Sequence, residues 1–222
     1  MDHKFCAEYG DILIRPLRRY DIEPLRQWRN KENISRFLRP VGQISKSQQE
    51  NWFEQYIHNK DVLFFVADYK RFRSVGTVAL YSFVNDECEI GKLVIGEDSA
   101  KGNGLGESLI LMSMCIGILY LKQNKFSLVV NKMNLAARHI YKNIGFVEQK
   151  QYFINDTDIE IRMEIERGCI MCNSKTKDIN LFEENNKIVR NLGGGILPLC
   201  KYLFLSLHSQ PCFLSGGGLR WN

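Results

Sequence analysis

Nowhere does this sequence string together the roughly 18 to 20 apolar residues that a membrane span requires. The longest candidates, Leu109 to Leu121 and Ile196 to Leu207, fall short, and Lys201 interrupts the second. The first ten residues, Met1 to Gly10, lack the apolar core of a secretory leader, which leads us to expect a cytoplasmic protein without a membrane partner. A disulfide framework is missing too: the seven cysteines are odd in number, with Cys6, Cys88 and Cys115 scattered singly and Cys169, Cys172, Cys200 and Cys212 crowded at the end. The first 166 residues also lack a surplus of charge, with 23 Lys+Arg against 22 Asp+Glu, whereas residues 167 to 222 hold seven against three. A near-neutral domain offers no basic face to a nucleic acid, so small molecules or peptides remain as partners.

The 222 residues, 45% of them hydrophobic, suffice for one substantial core and a small appendage. Ile12 to Arg19 reads as a strand, followed by a helix N-capped by Asp21 and a second helix capped by Ser45 or Ser47. Val62 to Tyr69, Val75 to Val84 and Glu87 to Ile95 form a predicted antiparallel meander, with Asn85-Asp86 at its second turn. Glu107 to Asn124 is apolar on nearly every side and should be a buried central helix. Phe126 to Val130 then reads as a strand, Leu135 to Asn143 as a helix ended by Gly145, and Phe146 to Glu166 as two strands around Asn155-Asp156. That order predicts an α+β fold, a mixed and mainly antiparallel sheet flanked by helices. Composition shifts after Arg167 toward Asn, Ser and Gly, so a catalytic domain is expected over residues 8–166 and a small irregular extension over 167–222.

Between the third meander strand and the central helix lies Lys101-Gly102-Asn103-Gly104-Leu105-Gly106. Glycines there let the backbone approach a ligand, and the free N–H groups of the helix start can hold a diphosphate. It is no Walker loop, because no Gly-Lys-Ser/Thr follows, and no dinucleotide fingerprint, because a hairpin rather than a βαβ unit precedes it.

Strand, Lys101-x-x-Gly104-x-Gly106 and helix resemble the acetyl-CoA signature of the GNAT superfamily, with Lys101 where Gln or Arg is usual. A second segment, Asn134-x-x-Ala137-x-x-x-Tyr141-x-x-x-Gly145-Phe146, is similar to that family's other cofactor-facing helix. The resemblance implies a GNAT fold and an acetyl-CoA-dependent N-acetyltransferase. It implies Tyr141 as the acid that protonates the departing thiolate, and Leu93, Val94 and Ile95 as backbone partners of the pantetheine arm. Lys101 to Gly106 and Asn134 would meet the cofactor, Asn134 serving equally as an ordinary N-cap. Such chemistry also needs a neutral amine. Glu89 is the first candidate base, with Glu87 on the same strand face as the alternative and a water chain as the family's common substitute.

Trp28-Arg29-Asn30 resembles a tripeptide of GNAT enzymes that acetylate amino-sugar nucleotides, as in pseudaminic-acid synthesis, or ribosomal-protein N-termini. Those three residues are therefore candidate substrate contacts, and an amino-sugar nucleotide is the expected acceptor, with protein N-termini as the alternative. Arg29 and Arg36 would hold a diphosphate. In the tail, Cys169-x-x-Cys172-Asn173 looks like half of a zinc knuckle, with Asn173 in the left-handed turn and Cys200, His208 and Cys212 as the irregular other half. Competing readings are a non-catalytic CoA-binding module and a nucleotide-binding regulator that uses the glycine loop.

Overall fold

The computed structural model describes residues 3–37, 42–155, 158–185, 188–190, 192 and 196–198. Its elements run β1 (Phe5–Tyr9), β2 (Ile12–Pro16), α1 (Ile22–Arg29), α2 (Glu32–Ser35), α3 (Lys46–His58), β3 (Val62–Tyr69), β4 (Phe72–Val84), β5 (Glu87–Ile95) and α4 (Leu105–Leu121). They continue with β6 (Lys125–Asn131), α5 (Leu135–Ile144), β7 (Val147–Phe153), β8 (Ile159–Glu166), α6 (Arg167–Met171), β9 (Asn180–Glu183), β10 (Ile188–Arg190) and β11 (Ile196–Pro198). Together the strands form one sheet in the order β11-β10-β9-β1-β2-β3-β4-β5-β6-β8-β7. Every pairing between neighbours is antiparallel except β5 with β6. The expected mixed, mainly antiparallel sheet flanked by helices is thus what the chain adopts.

Local chemistry sets the turns. Asn85 takes the left-handed conformation (φ 55°) that closes the β4–β5 hairpin, and Gly145 (φ 113°) ends α5. Ser45 caps α3 by accepting the Gln48 N–H. Asp21 does not cap α1 with its side chain as expected. Its fully buried carboxylate instead accepts both terminal nitrogens of Arg15, at 2.8 and 2.9 Å, and the Ser74 hydroxyl at 2.6 Å. Arg15 also reaches Asp68, so the buried cation is paired on two sides, which is what makes its burial tolerable.

Two cores lie on opposite faces of the sheet. On one face α4 is buried from Leu105 to Ile118 save Glu107, among Phe65, Leu80, Cys88, Phe126 and Met163, and α5 and α6 flank it there. On the other face α1 and α3 set Leu25, Trp28, Phe53 and Tyr56 against Phe64, Val66 and Ala79. No helix among the described residues is long and apolar enough to cross a membrane.

The composition change at Arg167 is not a break in packing. Ile170, Thr176, Ile179 and Leu181 are buried, and β9 pairs with β1, a strand the sequence reading missed. Gly10, at φ 56°, turns β1 directly into β2. The anticipated first strand stops at Pro16 rather than Arg19, and Asp156 of the last expected turn lies outside the described residues.

Candidate active site

The meander and α4 create a gap in the sheet. Antiparallel pairing holds β5 to β4 along its length, but parallel pairing holds it to β6 only at Glu87↔Lys125, Cys88↔Phe126 and Glu89↔Ser127. Beyond Glu89 the two strands part, leaving the backbone of Leu93, Val94 and Ile95 without a β6 partner. A bulge sharpens the departure: Thr77 faces Val94 while Ala79 faces Gly91, and Lys92 sits at φ 54° with its carbonyl accepting the Thr77 hydroxyl at 2.7 Å. Backbone polar groups freed in this way are available to an amide-bearing arm laid along β5.

Past the end of β5 the chain turns into α4 through Gly102 (φ 76°) and Gly104 (φ 70°), conformations that glycine adopts without strain. A Cβ at either position would meet nothing within 4 Å, so the bend faces open space. Gly104 is the N-cap of α4 and provides no side-chain acceptor, so the first amides of the helix keep their hydrogens free for an anion. Lys101 is paired with Asp98 at 2.5 Å, and the Asn103 amide donates to the Lys101 carbonyl.

The helix carrying Tyr141 meets this bend. A Cβ on Gly106 would lie 3.3 Å from Ile140 Cδ1 and 4.0 Å from Leu93 Cδ2, so α4, α5 and β5 converge at Ile140, the residue before Tyr141 in α5. Tyr141 packs against Phe146 and the α4-side core, and burial pushes its phenol up to about 12. A phenol so held remains protonated at neutral pH and can donate to a leaving thiolate. Asn134 caps α5 by accepting the Ala137 N–H at 3.2 Å.

Glu89 stands on the opposite face of β5, where it accepts the Tyr81 hydroxyl at 2.7 Å. Glu87, the alternative base, is committed to cations: Arg162 and Lys125 both reach it, and both also bind Glu164. The Glu87 oxygens are occupied by those two side chains, whereas Glu89 is met by the Tyr81 hydroxyl alone among the described residues, which keeps Glu89 as the first candidate.

The three candidate substrate contacts divide. Trp28 is 2% exposed, and its ring lies where a Cβ on Gly96 would come within 1.9 Å. Its indole N–H donates to Glu97, so Trp28 is core rather than a platform. Asn30 is likewise spent on structure, its carboxamide donating to and accepting from the backbone of Ile44, both at 2.9 Å. Arg29 is different: it is partly buried, its Nε is without a hydrogen-bond partner, and burial pulls its pKa below the usual value.

The zinc knuckle does not form among the described residues, which contain no group of three or more His, Cys, Asp or Glu able to hold a metal. Cys169 lies within α6 and Cys172 caps it, both exposed. Asn173 is extended (φ −72°, ψ 125°) rather than left-handed, because its carboxamide caps the 3-10 turn at Ser174–Asp178. Cys200, His208 and Cys212 lie outside the described residues. Two shallow cavities of about 170 and 280 Å³, beside Gly145 and Cys169 and beside Leu63 and Gln123, belong to neither the bend nor the strand gap.

Comparison with known proteins gives the family and the fold. The family described as Acetyltransferase (GNAT) domain matches residues 11–147. The chain is similar to spermidine N(1)-acetyltransferase of Escherichia coli (strain K12), at 26% identity over 148 residues, 65% of this chain and 79% of the relative. The Vibrio cholerae enzyme of that name is 25% identical over 152 residues, 66% and 87% of the two chains. Among solved structures, Vibrio cholerae spermidine N-acetyltransferase in complex with CoA and spermine superposes with a TM-score of 0.65 at 24% identity, covering 72% of this chain and 98% of that one.

Proposed function

The chain belongs to the GNAT acetyltransferase family and is an acetyl-CoA-dependent N-acetyltransferase, and we propose that its acceptor is a small-molecule primary amine bearing negative charge, of the amino-sugar nucleotide class. The observation that carries the acceptor class is the charge of the segment joining α1 to α2. Arg26, Arg29, Lys31 and Arg36 face only Glu32 in residues 26–37. This segment leans over the end of β5, where Lys31 donates to the Gly96 carbonyl at 3.3 Å and Trp28 covers Gly96. Arg26 is answered by Glu23, but Arg29 has no ion-pair or hydrogen-bond partner among the described residues. A half-buried guanidinium without a partner is costly unless an anion completes it, and a diphosphate matches its fork.

Within this reading the thioester of acetyl-CoA supplies the acetyl group. The bend from Lys101 to Gly106 holds the diphosphate, and Leu93, Val94 and Ile95 orient the arm. Tyr141 keeps a proton at its hydroxyl for the thiolate. Glu89, on the other face of the gap, takes the proton of the incoming ammonium directly or through water.

A polyamine acceptor is the second reading. It is supported by the activity named for the relatives and by the carboxylate of Glu89, to which an ammonium could pair. Thiol release from acetyl-CoA with a 4-amino-sugar nucleotide, spermidine or an N-terminal peptide as acceptor separates the readings. We expect turnover with the sugar nucleotide and its loss in Arg29→Met; turnover with spermidine or peptide alone would end the anionic-acceptor reading.

A further inference from the structure

We propose that the segment following the acetyltransferase domain completes the cofactor site, with Lys175 cancelling the charge of Glu107 at the diphosphate end of α4. The inference rests on the reading that CoA phosphates dock at that helix start.

Glu107 stands in the first turn of α4, where a carboxylate favours the helix dipole but repels an anion arriving at the same end. The nearby cation of the bend, Lys101, is engaged by Asp98, so the Glu107 charge at this helix end needs another cation to answer it. Lys175 Nζ lies 2.8 Å from Glu107 Oε2 and supplies that charge.

The position of Lys175 is imposed by the fold rather than by the ion pair alone. The Asn173 carboxamide accepts the Lys175 N–H at 3.0 Å, and the Thr176 hydroxyl donates to the Asn173 carbonyl at 2.7 Å. Thr176, Ile170 and Ile179 are buried on either side, and β9 then anchors the segment to β1. Lys175 lies beyond residues 11–147, the part that matches the family.

Calorimetric titration of the full chain with CoA tests this, using Lys175→Met, Glu107→Gln and the double variant. Lys175→Met should weaken CoA by about two- to fivefold at low salt, the range of a charge near a helix end, and the loss should shrink as salt screens it. Glu107→Gln should bind as well as wild type or better, and the double variant should regain wild-type affinity. A merely structural Lys175 would leave the double variant as weak as the single one, which overturns the proposal, as does an unchanged Lys175→Met. Wild-type protein that takes up no CoA would overturn the cofactor reading as well.

Discussion

Tyr141 illustrates how one side chain inherits its chemistry from its surroundings. Burial without a charged neighbour favours the neutral phenol, so its proton stays in place through the range where an amine acceptor becomes neutral. Replacing it with Phe keeps the packing against Phe146 and removes the proton; kcat should fall about a hundredfold, with the KM for acetyl-CoA little changed. Glu8 shows the same physics with a different consequence. Burial raises its carboxyl from the ordinary 4.5 to about 7. Because the folded pKa is raised, the stabilisation is fully present below pH 4.5 and is lost as pH rises through about 7. Glu8→Gln should therefore melt higher than wild type at pH 8 and no higher at pH 4.5, as thermal unfolding at the two pH values will show.

At the scale of elements, β5 does the positioning: its bulge at Lys92 and its divergence from β6 open the gap, and Gly96 at its end admits the Trp28 ring. A methyl group at Gly96 would collide with that ring, so Gly96→Ala should destabilise the fold by about 1–3 kcal/mol, read from urea unfolding. The elements that were legible in the sequence carry their own local signals, such as Asn85 in a hairpin turn, Ser45 before α3 and Gly145 after α5. The glycine bend before α4 and the helix that bears Tyr141 were legible as elements through their order along the chain. What was not legible depends on partners distant in sequence. Trp28 is core because of Gly96, Asn30 is occupied because of Ile44, and β1 is a strand inside a sheet because β9 covers its outer edge. The charge balance at Glu107 escaped for the same reason, since Lys175 lies 68 positions further along the chain.

For the whole molecule, the sheet does not end where the composition changes. Ile170, Ile179 and Leu181 join the α4-side core. Burying each contributes about 1.5–3 kcal/mol at most, together comparable with the 5–15 kcal/mol that holds a domain folded. A chain ended at Glu166 should accordingly unfold at a markedly lower denaturant concentration than the full chain, measured by denaturant titration. In the proposed site the α4 bend and the diverging end of β5 receive acetyl-CoA. Amide hydrogen exchange with and without CoA tests it most directly. Exchange should slow at Leu93 to Ile95 and at Asn103 to Glu107, with the α3 amides unchanged; unaltered exchange in both stretches while CoA is bound would rule out this site.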